Sequence, residues 1–510
     1  MKTTTVFFIA CCLTMAASHS TFAQPGSLDN TFGTGGKVTT AVGILDDDGT
    51  SVALQSDGKI VMAGYSRIGT TFDFSVVRYN SDGTLDNTFG TAGKVITDFG
   101  GADDRANSVA IQPDGKIVVA GQTNGDYALV RYSSNGILDN TFGSSGKVIT
   151  DFTSNDYGNS LVLQPDGKII VGGQSVGNNW DFSMARYTSN GTLDNTFGTS
   201  GKVTMDFNPG GYSYDYGGFV TLQPNGKILL AGSAYDTVHY FGLLRYNSNG
   251  TADNTFGTNG KVCMTFGGSD LEGRAVAVQA DGKIVMAGWS NVGVHQAFAL
   301  ARFDTTGSLD NTFGTGGKVT TVIGTANAGA YSMVIQTDGK IILAGHSYNY
   351  YDDFTVVRYN SDGSLDATFG SSGKVVTNFG TSDDGIFSTV IQADGKIVVG
   401  GMSKVGTTFD FALARYNVNA SAGINDVTEQ NTEIKIYPNP FSNSTTVEIS
   451  DPGFSKGQFA IYDLLGREVH QQAINSKRET LNLDLPKGIY FFKIRNEQKE
   501  IVGNGKLMIR

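Results

Sequence analysis

Acidic side chains recur between the apolar runs of this sequence and are its most evident candidates for metal binding or acid-base chemistry. Carboxylate oxygens bind calcium, and two acids at a set separation can cleave a glycosidic bond. The spacing matches neither an EF-hand nor a glycine-aspartate nonapeptide repeat, and too many acids are present to single out a catalytic pair. We therefore expect a solvated acidic face, with no metal and no cofactor. The clusters comprise Asp46, Asp47, Asp48, Asp103, Asp104, Asp156, Asp270, Glu272, Asp383 and Asp384.

Aromatic and histidine side chains form a second group, with the chemistry of a binding surface. They concentrate in segments where otherwise similar stretches of the sequence differ from one another. Rings with polar edges suit glycans, peptides and protein partners. Ordinary packing between neighbouring loops is the alternative interpretation. The candidate ligand-binding residues are Trp180, Tyr212, Tyr214, Tyr216, Tyr235, His239, Tyr240, Trp289, His295, Tyr348, Tyr350 and Tyr351.

Established catalytic motifs are not found in the sequence. The five histidines are scattered, and no two have the spacing of metal ligands. No Gly-x-Ser-x-Gly elbow, phosphate loop or zinc pattern occurs. Cys263 is the only cysteine after residue 23, so an intramolecular disulfide is excluded from that part of the chain. The sequence therefore identifies no catalytic residue and favours a protein that is not an enzyme.

One unit, repeated seven times, must position these residues. Each copy contains β-rich runs separated by Asp-Gly or Asn-Gly pairs, which supply the positive φ angles of hairpin turns. In the first copy the runs are 51–55, 59–64, 73–79 and 85–95. Four strands per copy indicate a propeller blade, so we predict an all-β, seven-bladed β-propeller over residues 24–417. The first turn of each copy contains Gly58, Gly115, Gly167, Gly226, Gly282, Gly339 or Gly395.

The turn positions also predict how each blade is connected. Asp57-Gly58 and Asp82-Gly83 give tight first-to-second and third-to-fourth turns, and the other two connections are long. Because antiparallel connections alternate between the ends of a sheet, both long loops share one face of the ring. The aromatic candidates all lie on long loops, so we expect them on that face. A lone fourth-strand segment, 27–38, precedes the first copy, and the last copy stops after its third strand. We expect these two segments to pair and to close the ring.

An arginine before Tyr or Phe recurs in every copy, and an aspartate follows in each fourth strand. Seven repeats of one pair cannot mark seven active sites, so we predict a structural ion pair. A recurring glutamine, such as Gln55, is expected to satisfy backbone groups at the first turn. The arginines are Arg78, Arg131, Arg186, Arg245, Arg302, Arg358 and Arg415. The aspartates are Asp86, Asp139, Asp194, Asp253, Asp310 and Asp366, with Asp29 completing the set across the ring closure.

The composition is typical of an exported folded protein. The 510 residues include 68 Gly and 9 Pro, and 39% are hydrophobic, which is sufficient for a large core. Residues 1–23 have the pattern of a signal peptide, with Lys2, an apolar run and Ala23 at the cleavage site. No later segment is apolar enough to span a bilayer. The net charge of −11 argues against nucleic acid as a partner.

The sequence pattern changes after a polar linker, residues 418–433. Short alternating runs predict a small Ig-like β-sandwich over residues 434–510. Its YPNP opening at 437–440, DLLGR turn at 463–467, GIY strand at 488–490 and final Lys506 segment resemble the C-terminal sorting domain of the type IX secretion system. That resemblance implies delivery through the periplasm across the outer membrane, with the secretion machinery as a partner. An accessory binding module is the alternative.

The LDNTFG and QxDGKI segments of the repeats resemble the delta-60 repeat family of predicted β-propellers, whose biochemical role is not established. Together these features predict a secreted or outer-surface protein that binds or adheres to a glycan, a peptide or a surface protein. The competing interpretation is an extracellular carbohydrate-active enzyme, a glycoside hydrolase or lyase. That interpretation requires two carboxylates from different blades to converge at the floor of one pocket.

Overall fold

The computed structural model describes residues 24–101, 103–207, 214–236, 238–268, 270–348, 350–380, 383–418, 434–450, 454–463, 468–496 and 501–509. The proposed signal peptide, nearly all of the proposed linker and most of the DLLGR turn lie outside these ranges. The chain divides into two compact units after residue 421. Within the described residues, every regular secondary-structure element is a β-strand.

The first unit contains seven four-stranded antiparallel sheets, which are the blades of the propeller. Blade 1 consists of β2 (Asp47–Leu54), β3 (Ile60–Ile68), β4 (Thr71–Tyr79) and β5 (Lys94–Thr97). Blade 2 consists of β6 (Asp104–Ile111), β7 (Ile117–Thr123), β8 (Asp126–Tyr132) and β9 (Lys147–Thr150). Blade 3 consists of β10 (Asp156–Leu163), β11 (Ile169–Val176), β12 (Trp180–Tyr187) and β13 (Lys202–Met205).

The remaining blades repeat the same order of strands. Blade 4 consists of β14 (Tyr214–Leu222), β15 (Ile228–Tyr235), β16 (His239–Tyr246) and β17 (Lys261–Met264). Blade 5 consists of β18 (Leu271–Val278), β19 (Ile284–Val292), β20 (His295–Phe303) and β21 (Lys318–Thr321). Blade 6 consists of β22 (Ala328–Ile335), β23 (Ile341–Tyr348), β24 (Asp352–Tyr359) and β25 (Lys374–Thr377). Blade 7 consists of β26 (Asp384–Ile391), β27 (Ile397–Val405), β28 (Thr408–Tyr416) and β1 (Lys37–Thr40).

Blade 7 confirms the predicted closure of the ring. Strand β1 pairs with β28 from Lys37 opposite Ala414 to Thr40 opposite Phe411. Leu28 forms a further bridge with Tyr416. Phe32, at the start of the chain, packs in one apolar cluster with residues of blades 1 and 7. The closing segment thus contributes both backbone pairing and apolar burial, which removes two exposed sheet edges.

The strand boundaries correct several expectations. The predicted fourth strand, 85–95, is shortened to β5, because the Asp86 carboxylate accepts hydrogen bonds from Thr88 N and Oγ1 and fixes a turn there. The third-to-fourth connection is therefore long, with one bridge from Tyr79 to Leu85. In contrast, the second-to-third connection in blade 1 is a tight hairpin between Ile68 and Thr71. The first strand begins earlier than predicted, at Asp47.

The recurring Arg-Asp pair is a buried structural latch, as predicted. In blade 1, Arg78 Nε lies 2.8 Å from Asp86 Oδ2, and the guanidinium lies over the Phe89 ring at 4.6 Å. Arg78 also donates to the backbone carbonyl of Ser134 in the next blade. Equivalent ion pairs occur in all seven blades. The arginines therefore hold the fourth-strand turn and join neighbouring blades.

The predicted role of the recurring glutamines was wrong for those whose side chain has a hydrogen-bond partner in the structure. Gln55 Oε1 accepts a hydrogen bond from the Arg78 guanidinium at 3.2 Å, so its side chain supports the latch instead of the backbone turn. Gln392 has the same relation to Arg415. The turn itself uses the glutamine backbone, because Gly58 N donates to Gln55 O at 3.0 Å.

The second unit is a small two-sheet sandwich. One sheet contains β29 (Ile434–Tyr437), β30 (Ser444–Ile449) and β33 (Arg478–Asn482). The other contains β32 (Glu468–Ile474), β31 (Gly457–Tyr462), β34 (Gly488–Asn496) and β35 (Ile501–Ile509). Val447 and Leu481 of the first sheet and Phe459 and Ile494 of the second share one buried cluster. This packing confirms the predicted β-sandwich.

Candidate binding site

A cavity of about 520 Å³ lies on the axis of the propeller, because its lining includes the first strand of every blade. Its volume is within the range of small-molecule sites, which is roughly 300–1,000 Å³. A narrower space of about 180 Å³ is bordered by many of the same strands. The lining combines aromatic, amide and charged side chains, such as Tyr331, Asn159 and Arg274.

A β-bulge in each first strand shapes the lining, and six of the seven bulge residues contribute to it. The register of every first-to-second strand pair shifts after the third residue of the strand, or after the fourth in blade 4, which leaves one residue without a partner across the ladder. Gly218 is the bulge residue of blade 4; its φ is +81°, and a Cβ there would lie 2.2 Å from Gly173 O. The seven bulge residues are Thr50, Asn107, Asn159, Gly218, Arg274, Tyr331 and Phe387.

One wall of the cavity is an ion pair surrounded by aromatic rings. Glu272 Oε2 accepts hydrogen bonds from Arg274 Nη2 at 2.6 Å and from Trp289 Nε1 at 3.1 Å. The Arg274 guanidinium lies 5.2 Å from the centroid of the Tyr331 ring. That ring stacks on His346 at 4.8 Å, and burial lowers the pKa of His346. These contacts fix the side chains before any ligand arrives.

A second wall contains an acid with an altered pKa. Burial, assisted by the nearby charge of Asp46, raises the pKa of Asp48 to about 6, although a hydrogen bond from Tyr65 opposes the shift. Arg105 lies over the Tyr65 and Phe72 rings, at 5.2 and 4.8 Å. Asp48 can therefore gain or lose a proton near neutral pH, and it is one of two carboxylates from different blades in the cavity lining, the other being Glu272.

Amides line the side of the cavity between these walls. Asn107 Nδ2 donates to Gly158 O at 3.0 Å, and Asn159 donates to Gly217 O, so each amide bridges to the next blade. Gln174 Oε1 accepts from Gly217 N at 2.8 Å. One polar group of each amide is hydrogen-bonded to the scaffold, and the other groups of that amide can form further hydrogen bonds. This side of the cavity can donate to or accept from a polar ligand.

The predicted aromatic residues fall into separate groups. Tyr214, Tyr216, Tyr235 and His239 form a connected cluster in blade 4, with Tyr214 and Tyr216 parallel at 6.2 Å. Trp180 stacks on Tyr157 in blade 3 at 5.0 Å. Most of these residues lie on strands near the second-to-third hairpins, so their placement on long loops was wrong.

The other predicted residues lie apart from that cluster. Trp289 lies within β19, whereas Tyr240 and His295 lie at the beginnings of third strands. Tyr348, Tyr350 and Tyr351 lie at the hairpin of blade 6 and are exposed, Tyr350 by 86%. Tyr212 lies outside the described residues. Among the predicted residues that are described, only Tyr216 lines the axial cavity.

The sequence reasoning missed most of the cavity lining. Asp48, Tyr65, Asn107, Asn159, Arg274, Tyr331 and Phe387 were not proposed as ligand-binding residues. A signal for them exists, because the second and fourth positions of the first strand, counted from Asp47 in blade 1, hold charged, aromatic, polar or glycine residues in different copies. The sequence contains no comparable signal for the bulge, which turns the fourth residue of the strand toward the axis. The variable positions could therefore have been recognised from the sequence, but not the fact that they meet at one cavity.

The expectation of a solvated acidic face was also wrong for four of the acids. Asp47, Asp104, Asp156 and Asp384 open the first strands of their blades and are buried. Burial raises the pKa of each of these carboxyls. One oxygen of each accepts a hydrogen bond from a backbone N–H of the preceding loop, such as Phe99 N to Asp104 Oδ2 at 2.6 Å.

Comparison with protein families agrees with both units. Residues 435–510 match the family described as a secretion system C-terminal sorting domain. The family described as a domain of unknown function (DUF5122) β-propeller matches residues 55–89, 112–142, 164–197, 223–256, 279–313, 336–369 and 392–421. The chain is therefore a DUF5122, or delta-60-type, β-propeller that carries a type IX sorting domain. Such a domain interacts with the secretion machinery and directs export to the cell surface or beyond.

Solved structures with a similar arrangement share little sequence with this chain. Virginiamycin B lyase from Staphylococcus aureus, in a catalytically inactive form with quinupristin, has 12% identity and a TM-score of 0.41, covering 74% of this chain and 98% of its own. A protein of unknown function from Dyadobacter fermentans has 14% identity and a TM-score of 0.41, covering 75% and 98%. Sqt1 from Chaetomium thermophilum has 13% identity and a TM-score of 0.42, covering 78% and 88%. At these identities the matches carry no information about activity.

Curated proteins gave no match to this chain. Within the described residues, no helix has the length and apolar character required to cross a membrane.

Proposed function

We propose that the exported propeller is a binding or adhesion module and that its axial cavity is the ligand site. The observation that carries this proposal is that the first-strand residues that line the cavity differ from copy to copy, whereas the Arg-Asp latch is the same in every blade. A symmetric scaffold needs no such variation. The variation is what a site for an asymmetric ligand requires.

A glycan is the ligand class that fits the cavity best. The charges of its walls are partly compensated within the protein, since Glu272 pairs with Arg274 and the charge of Arg105 acts on Asp48. A strongly charged ligand would therefore find no excess of opposite charge. Aromatic rings beside amide groups suit a sugar ring, which presents apolar faces and hydroxyl edges. Tyr216 and the blade 4 cluster extend this surface at the cavity margin.

A glycan array probed with mature protein, residues 24–510, tests the proposal. Tyr331→Ala and Tyr216→Ala should each weaken binding to a captured glycan at least about tenfold, since buried aromatic contacts dominate binding energies. Ser134→Ala, at an exposed turn on the opposite face, is the matched control and should bind like wild type. Equal affinity of both tyrosine variants and wild type would place the site elsewhere.

A carbohydrate-active enzyme is the second candidate, because Asp48 of blade 1 and Glu272 of blade 5 line one cavity. A raised pKa suits a general acid, and Asp48 has one. Glu272 is held by Arg274 and Trp289, so it would have to serve as the carboxylate that stays ionised. Any glycan retained on the array should be incubated with wild type, Asp48→Asn and Glu272→Gln. Release of shorter sugars by wild type alone would establish the enzyme, and intact glycan in all three would exclude it for that substrate.

Export supplies the setting for this function. The sorting domain should be required for delivery but not for folding of the propeller, because the two units have separate cores. A chain truncated after residue 433 should therefore fold and remain in the periplasm of its native host. Arrival of the truncated chain at the surface or in the medium would contradict this role.

A further inference from the structure

Three junctions between successive blades each contain three aspartates in equivalent positions. Between blades 2 and 3, Asp126 opens the third strand β8, Asp151 follows the fourth strand β9, and Asp156 opens the first strand β10 of the next blade. One carboxylate oxygen of each residue lies within 4.8 Å of the other two. The corresponding sets are Asp73, Asp98 and Asp104 between blades 1 and 2, and Asp181, Asp206 and Asp215 between blades 3 and 4.

Carboxylates this close repel one another unless a cation or protons compensate them. Burial raises the pKa of Asp156 to about 6, with the charges of Asp151 and Asp126 acting in the same direction. Burial also raises the pKa of Asp215 to about 7. Among the described residues, no Lys or Arg forms an ion pair within 4.0 Å with Asp126, Asp151 or Asp156.

The lysine that opens the fourth strand of each blade bonds to a backbone carbonyl. Lys202 donates its ammonium hydrogen bond to the backbone carbonyl of Asp151, not to a carboxylate of the cluster. The same contact exists where no acid is present, as in Lys318 to Thr265 O and Lys374 to Val322 O. This lysine therefore belongs to the scaffold of every blade and is not a dedicated counterion.

A buried oxygen in the cluster has no partner. Asp156 is fully buried, at 0% exposure; its Oδ2 accepts from Phe152 N at 2.6 Å, but its Oδ1 has no hydrogen-bond partner. Asp215 repeats the arrangement, with Oδ2 accepting from Phe207 N at 3.0 Å and Oδ1 unsatisfied. Leaving such an acceptor unsatisfied costs roughly 1–3 kcal/mol, and more when it is charged. In these two junctions the unsatisfied oxygen is available as a metal ligand, whereas in the first junction both oxygens of Asp104 accept hydrogen bonds, from Phe99 N and from Thr123 Oγ1.

Junctions without the cluster show that the fold does not need these acids. Between blades 4 and 5 the three positions hold Tyr240, Thr265 and Leu271, and between blades 5 and 6 they hold Ala297, Val322 and Ala328. At these two junctions all three acids are replaced. The remaining junctions are intermediate, with Asp353, Asn378 and Asp384, and with Asp410, Ala41 and Asp47.

We propose that each three-aspartate junction binds one Ca²⁺ ion, which ties the third strand of one blade to the first strand of the next. Calcium prefers oxygen ligands at about 2.3–2.6 Å, so two ligands on opposite sides of the ion are about 5 Å apart. The three carboxylate oxygens lie within 4.8 Å of one another, so no pair is too far apart to contact one such ion. Zinc favours nitrogen and sulfur ligands, and magnesium requires a tighter octahedral shell. At the junctions without acids, Leu271 and Ala328 take the first-strand position and join the apolar clusters between the blades.

Equilibrium dialysis of mature protein, residues 24–510, against about 5 mM CaCl₂ tests the proposal, because extracellular calcium modules have Kd values of about 10⁻⁴–10⁻³ M. Wild type should bind three ions, one for each cluster. Asp151→Ala should bind one ion fewer, and a triple variant at Asp98, Asp151 and Asp206 should bind none at the propeller. Asp98 and Asp151 are exposed, so their removal leaves the core intact.

Three further measurements make the result decisive. Asp410→Ala, at the junction that has Ala41, is the matched control and should keep full calcium uptake. The melting temperature of wild type should rise when EDTA is replaced by CaCl₂, whereas that of the triple variant should not change. Equal concentrations of MgCl₂ should not displace the calcium. No uptake by wild type, or equal uptake by wild type and the triple variant, would overturn the proposal.

Discussion

Two arginines of blade 5 show how differently the two ends of a blade are used. Arg302 belongs to the latch near the tight first-to-second turn: its side chain is 6% exposed, and it pairs with Asp310 at 2.9 Å. Arg274 lies at the axial cavity: its side chain is 34% exposed, and it pairs with Glu272 at 2.6 Å. The first occurs in every copy and the second in one copy only. Repetition therefore identifies the scaffold, and departure from it identifies candidate sites of binding.

Removing the closing segment should have the largest effect on the scaffold. Without residues 24–40, blade 7 loses its fourth strand and Arg415 loses Asp29. We expect a steep fall in melting temperature and aggregation through the exposed edge of β28. Differential scanning calorimetry and light scattering measure both. Ile44→Ser, in the loop that follows, serves as the control because Ile44 is 94% exposed; an unchanged melting curve for the deletion would refute the closure account.

Acid should weaken all seven latches together. Although burial acts in the opposite direction, hydrogen bonds from Thr31 and Lys396 and the charge of Arg415 lower the pKa of Asp29 to about 2. The pKa values of Asp86, Asp139 and Asp310 are also lowered. A carboxyl whose pKa is lower in the folded state stabilises the fold above its unfolded pKa, about 4, and this contribution is lost as pH falls toward 2.

Raised pKa values give the opposite dependence at higher pH. Burial raises the pKa of Asp48 and Asp156 to about 6, so their stabilising contribution is complete below about pH 4 and declines as pH rises through 6. We therefore expect the free energy of unfolding, measured with urea without calcium, to be maintained or to increase from pH 7 to 4 and to fall below pH 4. Asp29→Asn should reduce the acid slope. Constant stability from pH 4 to 2 would be incompatible with the latches.

A single latch should be worth several kcal/mol. Arg302→Ala removes the guanidinium from the buried Asp310 and the hydrogen bond to Ser361 O in the next blade, and it leaves Lys283, 3.0 Å away, as the remaining ion-pair partner of Asp310. Breaking a buried pair costs about 3–5 kcal/mol, and the remaining lysine places the expected loss at the lower end of that range. Urea unfolding measures the loss. The exposed Arg67→Ala is the matched control and should change stability by no more than about 0.5 kcal/mol.

Local patterns predicted most of the scaffold. The Asp-Gly turns, the repeat and the unmatched ends predicted seven blades, ring closure and the latch, because each depends on residues that are close in sequence or identical between copies. The segment from Leu85 was predicted as part of a strand, but the Asp86 side chain forms a turn there instead. The apolar pattern contains no sign of this competition between turn and strand, so only the assembled structure reveals it.

The candidate site was harder to predict because its residues meet through the ring. Asp48 and Glu272 are far apart in sequence and share a cavity only when seven first strands converge on one axis. No turn residue in the sequence indicates the bulges that orient Asn107, Arg274 and Tyr331. The prediction instead selected the aromatic residues near the hairpins, and of these only Tyr216 lines the cavity.

The two arginines of blade 5 give the most direct test of this division of roles. Arg274→Ala and Arg302→Ala should be compared on the same glycan array and by urea unfolding, at a temperature where both proteins are folded. We predict that Arg274→Ala weakens glycan binding at least about tenfold with a stability loss near 1 kcal/mol or less. Arg302→Ala should keep its binding while losing about 3–5 kcal/mol of stability. Unaltered glycan binding by Arg274→Ala together with weakened binding by folded Arg302→Ala would contradict the account.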